Sequence, residues 1–192
     1  MFKIKTRITD DIEELRVSTP QFFDKELNNV SGFVEVIIGH HKIGYCHEKP
    51  MQIGEWGGEW VNWWLEKFLL CANNIQKTKY IAVLKPETAN RWIEFELVDD
   101  ILTVNLAQGE LNTENKLFIS EKHMSFIYDD PVGVRINLYD FLHEVNDAVN
   151  RFIDDLKAIN PKLVKTKMAN NLLANSCGLQ NVFLSIKKCS EY

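Results

Sequence analysis

Long apolar runs are missing from this 192-residue sequence. The densest, Val61 to Ala72, carries Asn62, Glu66 and Lys67 and falls short of the roughly 18 apolar residues that a membrane span needs. The first residues alternate, Phe2, Ile4, Thr6 and Ile8 against Lys3, Lys5 and Arg7. That is a strand pattern, without the apolar run and small-residue cleavage site of a signal peptide. No membrane partner is expected, and the expected compartment is the cytoplasm. Cysteine is scarce and scattered: Cys46, Cys71, Cys177 and Cys189 form no C-x-x-C pair and are read as reduced thiols. Basic residues are outnumbered, 22 Lys plus Arg against 27 Asp plus Glu, for a formal charge of −5. That sign is wrong for gripping phosphates over a broad surface, so nucleic acid is not an expected partner and a basic protein suits better.

Linkers, repeats and low-complexity tracts are also missing, which makes residues 1–192 a single domain. What is present is core-forming material: 45% of residues are hydrophobic, with five Trp and eleven Phe, a composition that excludes general disorder. Phe33 to Ile38 and Ile43 to His47 read as a hairpin around Gly39-His40-His41-Lys42. Glu59 to Ile75 reads as a helix, Tyr80 to Leu84 as a strand, and Arg91 to Val98 with Ile101 to Ala107 as a hairpin across Asp99-Asp100. Short strands are expected at Lys116 to Ile119, Met124 to Tyr128 and Val134 to Ile136.

Leu138 to Ile159 is the clearest helix, with Asn137 as its cap and Pro161 beyond its end. On a helical wheel with Asp140 at the origin, Phe141, Leu142, Val145, Ala148, Val149, Phe152, Ile153 and Leu156 fall between about 80° and 220°, a core-facing stripe. Lys162 to Ser176 reads as a last helix stopped by Gly178, and Leu179 to Ile186 as a closing strand. The resulting class is α+β: mostly antiparallel sheet packed against a Trp-rich helix and a long amphipathic helix near the C-terminus.

His40, His41, Cys46 and His47 carry zinc-ligand chemistry. With His40-His41 in the turn, however, His47 lies roughly 20 Å along the strand, and a shared metal would need ligands such as His123 or Cys177 from elsewhere. No metal or cofactor is assigned. Gly54-Glu55-Trp56-Gly57-Gly58-Glu59-Trp60 leads into a helix start but lacks the Lys and Ser/Thr of a phosphate loop, and Glu55 and Glu59 would repel an anion. There is no nucleophile elbow, and the acidic pairs Asp10-Asp11, Asp99-Asp100, Asp129-Asp130 and Asp154-Asp155 fall at turns or on a solvated helix face. No catalytic residue is assigned, and the chain is not read as an enzyme.

Two surfaces are more informative. Asp140, Glu144, Asp147, Asp154 and Asp155 lie within about 320° to 60° of the same wheel, opposite the apolar stripe, as an acidic ridge. Arg151 sits inside it, four residues from both Asp147 and Asp155, placed for i,i+4 pairs. On the Trp-rich helix, Trp63 and Leu70 fall off the main apolar face, one above the other. Either that helix is covered on both sides or the two residues form an exposed contact patch.

The Gly-Glu-Trp-Gly-Gly turn runs into Glu59-Trp60-Val61-Asn62-Trp63-Trp64-Leu65-Glu66. After it come Trp92-Ile93-Glu94-Phe95-Glu96 and the late helix with Arg151-Phe152-Ile153-Asp154-Asp155. Over residues 30–160 this resembles the small acidic α+β immunity proteins of bacterial polymorphic-toxin and contact-dependent inhibition systems. The resemblance implies a protein that binds and neutralises a cognate toxin domain, such as a nuclease, by stoichiometric contact. Trp63, Leu70 and the five ridge acids are the expected partner-binding residues. The competing expectations are an enzyme with an unrecognised carboxylate or histidine site, and a structural homo-oligomer such as a homodimer closing over Trp63 and Leu70.

Overall fold

A computed structural model describes residues 1–9, 12–52, 55–86, 88–109, 118–122 and 125–189, the last ten of these by backbone alone. Two antiparallel sheets share one apolar core. In the first, β1 (Phe2–Ile8) pairs with β2 (Ser31–Ile38), and β2 pairs on its other side with β3 (His41–Tyr45) and the two-residue β4 (Glu59–Trp60). The second is ordered β8 (Phe118–Ile119), β5 (Tyr80–Leu84), β6 (Arg91–Val98), β7 (Ile101–Gln108) and β9 (Ile127–Asn137). Between β1 and β2 run the short helices α1 (Ile12–Val17) and α2 (Pro20–Phe22) and a wide turn over Phe23–Leu27. The long helices are α3 (Val61–Thr78), α4 (Leu138–Ile159) and α5 (Lys167–Cys189). The class is α+β, as the order of elements predicts, and no helix among the described residues is long and apolar enough to cross a membrane.

The core is where the alternation of β1 meets the stripes of the helices. Phe2 packs edge-on against Phe68 of α3 at 5.6 Å and Phe141 of α4 at 4.9 Å, and Phe95 of β6 touches the same two rings at 6.5 and 5.1 Å. One aromatic knot thus joins both sheets and both helices, each buried ring contributing about 1.5–3 kcal/mol. Every residue of the α4 stripe is buried, and Asn137 caps that helix, its Oδ1 accepting from Tyr139 N–H at 2.8 Å and Asp140 N–H at 3.4 Å.

Four expectations are corrected. The last helix runs on through Gly178 to Cys189, so the closing strand over Leu179 to Ile186 is helix, and a 3₁₀ turn over Leu163–Lys165 precedes it. Gly178 serves packing: a Cβ there would lie 3.1 Å from Oδ1 of Asn73 on α3. Of the separate strands expected over 124–128 and 134–136, residue 124 lies outside the described residues, and residues 127–128 and 134–136 belong to one strand, β9. Its ladder steps from Val104↔Val134 to Leu106↔Asp129, an irregularity that accommodates Pro131 on the outer strand of the sheet. Glu59 and Trp60 extend the first sheet, so α3 starts at Val61. Residues 12–27, assigned no element from the pattern, are largely helical, with Thr19 Oγ1 accepting from Phe22 N–H ahead of Pro20. Of the strand expected over Lys116 to Ile119, only Phe118–Ile119 falls among the described residues.

Candidate functional site

The acidic ridge of α4 is partly consumed by the fold. Asp140 and Asp154 are exposed. Glu144 turns inward: its Oε1 accepts from the Ile4 N–H at 2.9 Å and lies 2.7 Å from Nη2 of Arg151, leaving the side chain 13% exposed. The same Arg151 nitrogen donates to the Ile4 carbonyl at 3.0 Å. Arg151 therefore pairs seven residues back, in place of the expected i,i+4 partners Asp147 and Asp155, because the β1 main chain holds it there. Asp147 pairs with His143 at 3.1 Å. Loss of hydration along the helix, with the neighbouring Asp154 charge, pushes the Asp155 carboxyl up, and Arg151 opposes this.

Trp63 and Leu70 have different surroundings. Trp63 is 38% exposed and packs edge-on against Trp60 at 4.3 Å. Leu70 is half-buried against the core and lines a groove of about 320 Å³ between α3 and α5, with Asn73, Asn74, Asn171 and Asn175. At the same groove, burial pushes the Glu66 carboxyl up and the Lys67 ammonium down.

The histidine and cysteine group is spread along β3 and the loop after it. His40 and His41 stack at 4.0 Å at the hairpin end, with His41 Nδ1 3.9 Å from Asp130. His47 is beyond the other end of the strand, its Nε2 2.7 Å from Glu55 Oε1 and its ring packed on Phe33 and Tyr45. Burial, then the Glu35 charge, raises the Cys46 thiol. Cys177 is exposed on α5, and His123 lies outside the described residues. Among the described residues no three His, Cys, Asp or Glu side chains converge as a metal site.

The irregular stretches 46–52 and 55–58 are the feature that sequence reasoning passed over. Arg7 ties the first to β1, with Nη1 donating to the carbonyls of His47, at 2.8 Å, and Lys49, at 2.6 Å. Glu55 is held by His47 and by the Gln52 N–H at 2.9 Å, contacts that keep its carboxyl below the ordinary range, the Gln52 bond first. Gly57 donates to Thr9 Oγ1 at 2.9 Å, and its backbone lies against Gly32 so closely that a Cβ would sit 2.2 Å from the Gly32 carbonyl carbon. Between these two anchored residues stands Trp56, 74% exposed, and Tyr45 at the start of the loop is 60% exposed. The signal was in the sequence: a tryptophan between a glutamate and a glycine pair, read there only as a turn.

Beside this loop lies a groove of about 840 Å³, with Lys3, Lys5, Arg7, His47, Glu48 and Arg151 among its walls. It is a basic surface on an acidic chain. A second feature missed from the sequence is Glu94, fully buried on β6. Its Oε1 accepts from the hydroxyls of Tyr80 at 2.9 Å and Tyr128 at 3.2 Å, and its Oε2 from Asn105 Nδ2 at 2.5 Å. Both oxygens are engaged by donors of neighbouring strands, which fastens β5, β6, β7 and β9 together. Burial, then the Glu94 charge, raises the Tyr128 hydroxyl. Comparison with family models, with curated proteins and with solved structures finds no match to this chain.

Proposed function

We propose that this chain is an immunity protein, which neutralises a cognate bacterial toxin domain in the cytoplasm by binding it one to one. The observation that carries the reading is Trp56, a large apolar side chain displayed to solvent at 74% exposure from a backbone pinned on both sides. An exposed aromatic between two anchored residues loses less backbone entropy on binding than one on a free loop, and tryptophan is enriched among interface anchors. Tyr45, which shares the Phe33–His47 cluster at the root of the same loop, extends that surface. In this account Trp63 borders the contact. Asp140 and Asp154 steer a basic partner, because Glu144 and Asp147 are committed to partners within the fold. The test is co-expression with the C-terminal domain of whatever secreted protein is encoded immediately upstream of the chain. Wild-type chain restores growth and Trp56→Ala, still folded, does not; failure of the wild-type chain to protect contradicts the assignment.

A further inference from the structure

β1 is the outer strand of the first sheet. Its hydrogen bonds to the β2 side use odd-numbered residues: Gly39 N–H donates to the Met1 carbonyl and Thr9 N–H to the Ser31 carbonyl. The even-numbered residues therefore direct their main-chain N–H and C=O away from β2. At Ile4 the outward pair is already taken. Glu144 accepts from its N–H and Arg151 donates to its carbonyl, so two side chains of α4 supply the acceptor and donor that a neighbouring strand would. Further along, nothing among the described residues takes that place at Thr6 or Ile8.

The basic groove runs past this open stretch, with Ile4 and Thr6 among its walls. Alternation places Lys3, Lys5 and Arg7 on one face of β1. Lys5 shares the Glu35 carboxylate at 3.2 Å with Lys42 at 3.4 Å, and Arg7 is bound to carbonyls, which orient it without cancelling its charge. Two requirements then meet at one place: an unpaired row of donors and acceptors, and a row of cations on the adjoining face.

We propose that the free edge of β1, from the Glu144–Arg151 cap toward Ile8, accepts an extended acidic segment of a protein partner as an added strand. A polypeptide backbone offers both the N–H and the C=O that this edge needs, and carboxylates at alternate positions of such a strand would face Lys5 and Arg7, with Lys3 one step past the cap. A DNA backbone brings acceptors alone. The inference rests on the reading that the chain works by protein contact, and it adds an acidic strand to the chemistry of the partner.

The probe is a synthetic peptide of alternating glutamate and valine with blocked ends, titrated against the full chain beside a single-stranded oligonucleotide of the same charge. The expected result is saturable peptide binding that slows hydrogen exchange at the Thr6 and Ile8 amides. Thr6→Pro removes an outward N–H without touching the ladder to β2 and should weaken binding about tenfold or more, and Lys3→Glu should weaken it in proportion to low salt. No binding, binding unchanged by Thr6→Pro with no protection of those amides, or tighter binding of the oligonucleotide overturns the proposal. In the growth assay, full protection by Thr6→Pro overturns the added strand and leaves the immunity reading standing; failure of wild-type protection overturns the immunity reading itself.

Discussion

Glu144 and Arg151, seven residues apart on α4, meet at 2.7 Å and together close over the main chain of Ile4, 140 residues away from Glu144 in sequence. A pair that looks from the helical wheel like part of a solvated ridge is the joint between the long helix and the outer strand. Removing Glu144, whose side chain is 13% exposed, leaves the Ile4 N–H without its acceptor and Arg151, 46% exposed, without its carboxylate partner.

Glu144→Ala is therefore expected to destabilise the fold by about 1–3 kcal/mol, the cost of orphaning a charge-assisted hydrogen bond. Chemical denaturation of the variant reads this directly. A midpoint equal to that of the wild type would return Glu144 to the role of a surface charge.

Glu94 makes a stronger demand. Glu94→Ala would remove the buried acceptor that the Tyr80 hydroxyl and the Asn105 amide share, and a loss of about 3 kcal/mol or more is expected. Glu94→Gln retains the shape and part of the hydrogen bonding and should lose less. Equal losses for the two variants would mean that the carboxylate itself, and not the shape that Gln retains, is what the site needs.

Acid should loosen the display of Trp56. A carboxyl whose folded pKa is below its unfolded value stabilises the fold above the ordinary glutamate range and loses that contribution as pH falls through the folded value. Glu55 is such a group, held down first by the Gln52 N–H and then by His47. The emission difference between the chain and Trp56→Ala, which isolates Trp56 from the other four tryptophans, should shift before global unfolding, at a pH below about 4.3, and Glu55→Gln should abolish the early shift. An unaltered transition in that variant would separate the loop from Glu55.

Gly57→Ala tests the rigidity itself. The new Cβ would be driven into the Gly32 backbone, and a cost of about 1–3 kcal/mol is expected together with a displaced loop. A thermal melt and the Trp56 emission maximum report the two effects separately; a stable variant with unchanged emission would show that the loop has room to spare.

What the sequence made legible follows the range of the interactions involved. Leu138–Ile159 and the hairpin over Arg91–Gln108 were readable because their signals are local: an Asn137 cap, a 3.6-residue stripe, and Asp99 in the left-handed turn at φ 52° between alternating strands. Gly178 misled because glycine has two uses, ending a helix and letting a neighbour approach, and only Asn73, on another helix, distinguishes them. Pro131 split β9 in the same way, since the irregularity that absorbs it is a property of the pair β7–β9. The site was harder still. Glu144 read as a free acid and Asp147 as a partner of Arg151, because their partners, Ile4 and Arg151 for one and His143 for the other, are a matter of geometry. Trp56 read as turn filler because its two anchors, through His47 and Thr9, lie outside its own segment.

The account turns on Trp56 as an interface anchor on a surface that needs no change to bind. The most direct test is a calorimetric titration of the purified chain with a toxin domain against which it protects in the growth assay, for wild type and Trp56→Ala, alongside denaturation of both. The account predicts a one-to-one complex, a loss of about 2 kcal/mol or more in binding for the variant, roughly thirtyfold in affinity, and a folding stability within about 0.5 kcal/mol of wild type. A complex of undiminished affinity, or no complex at all, would contradict it.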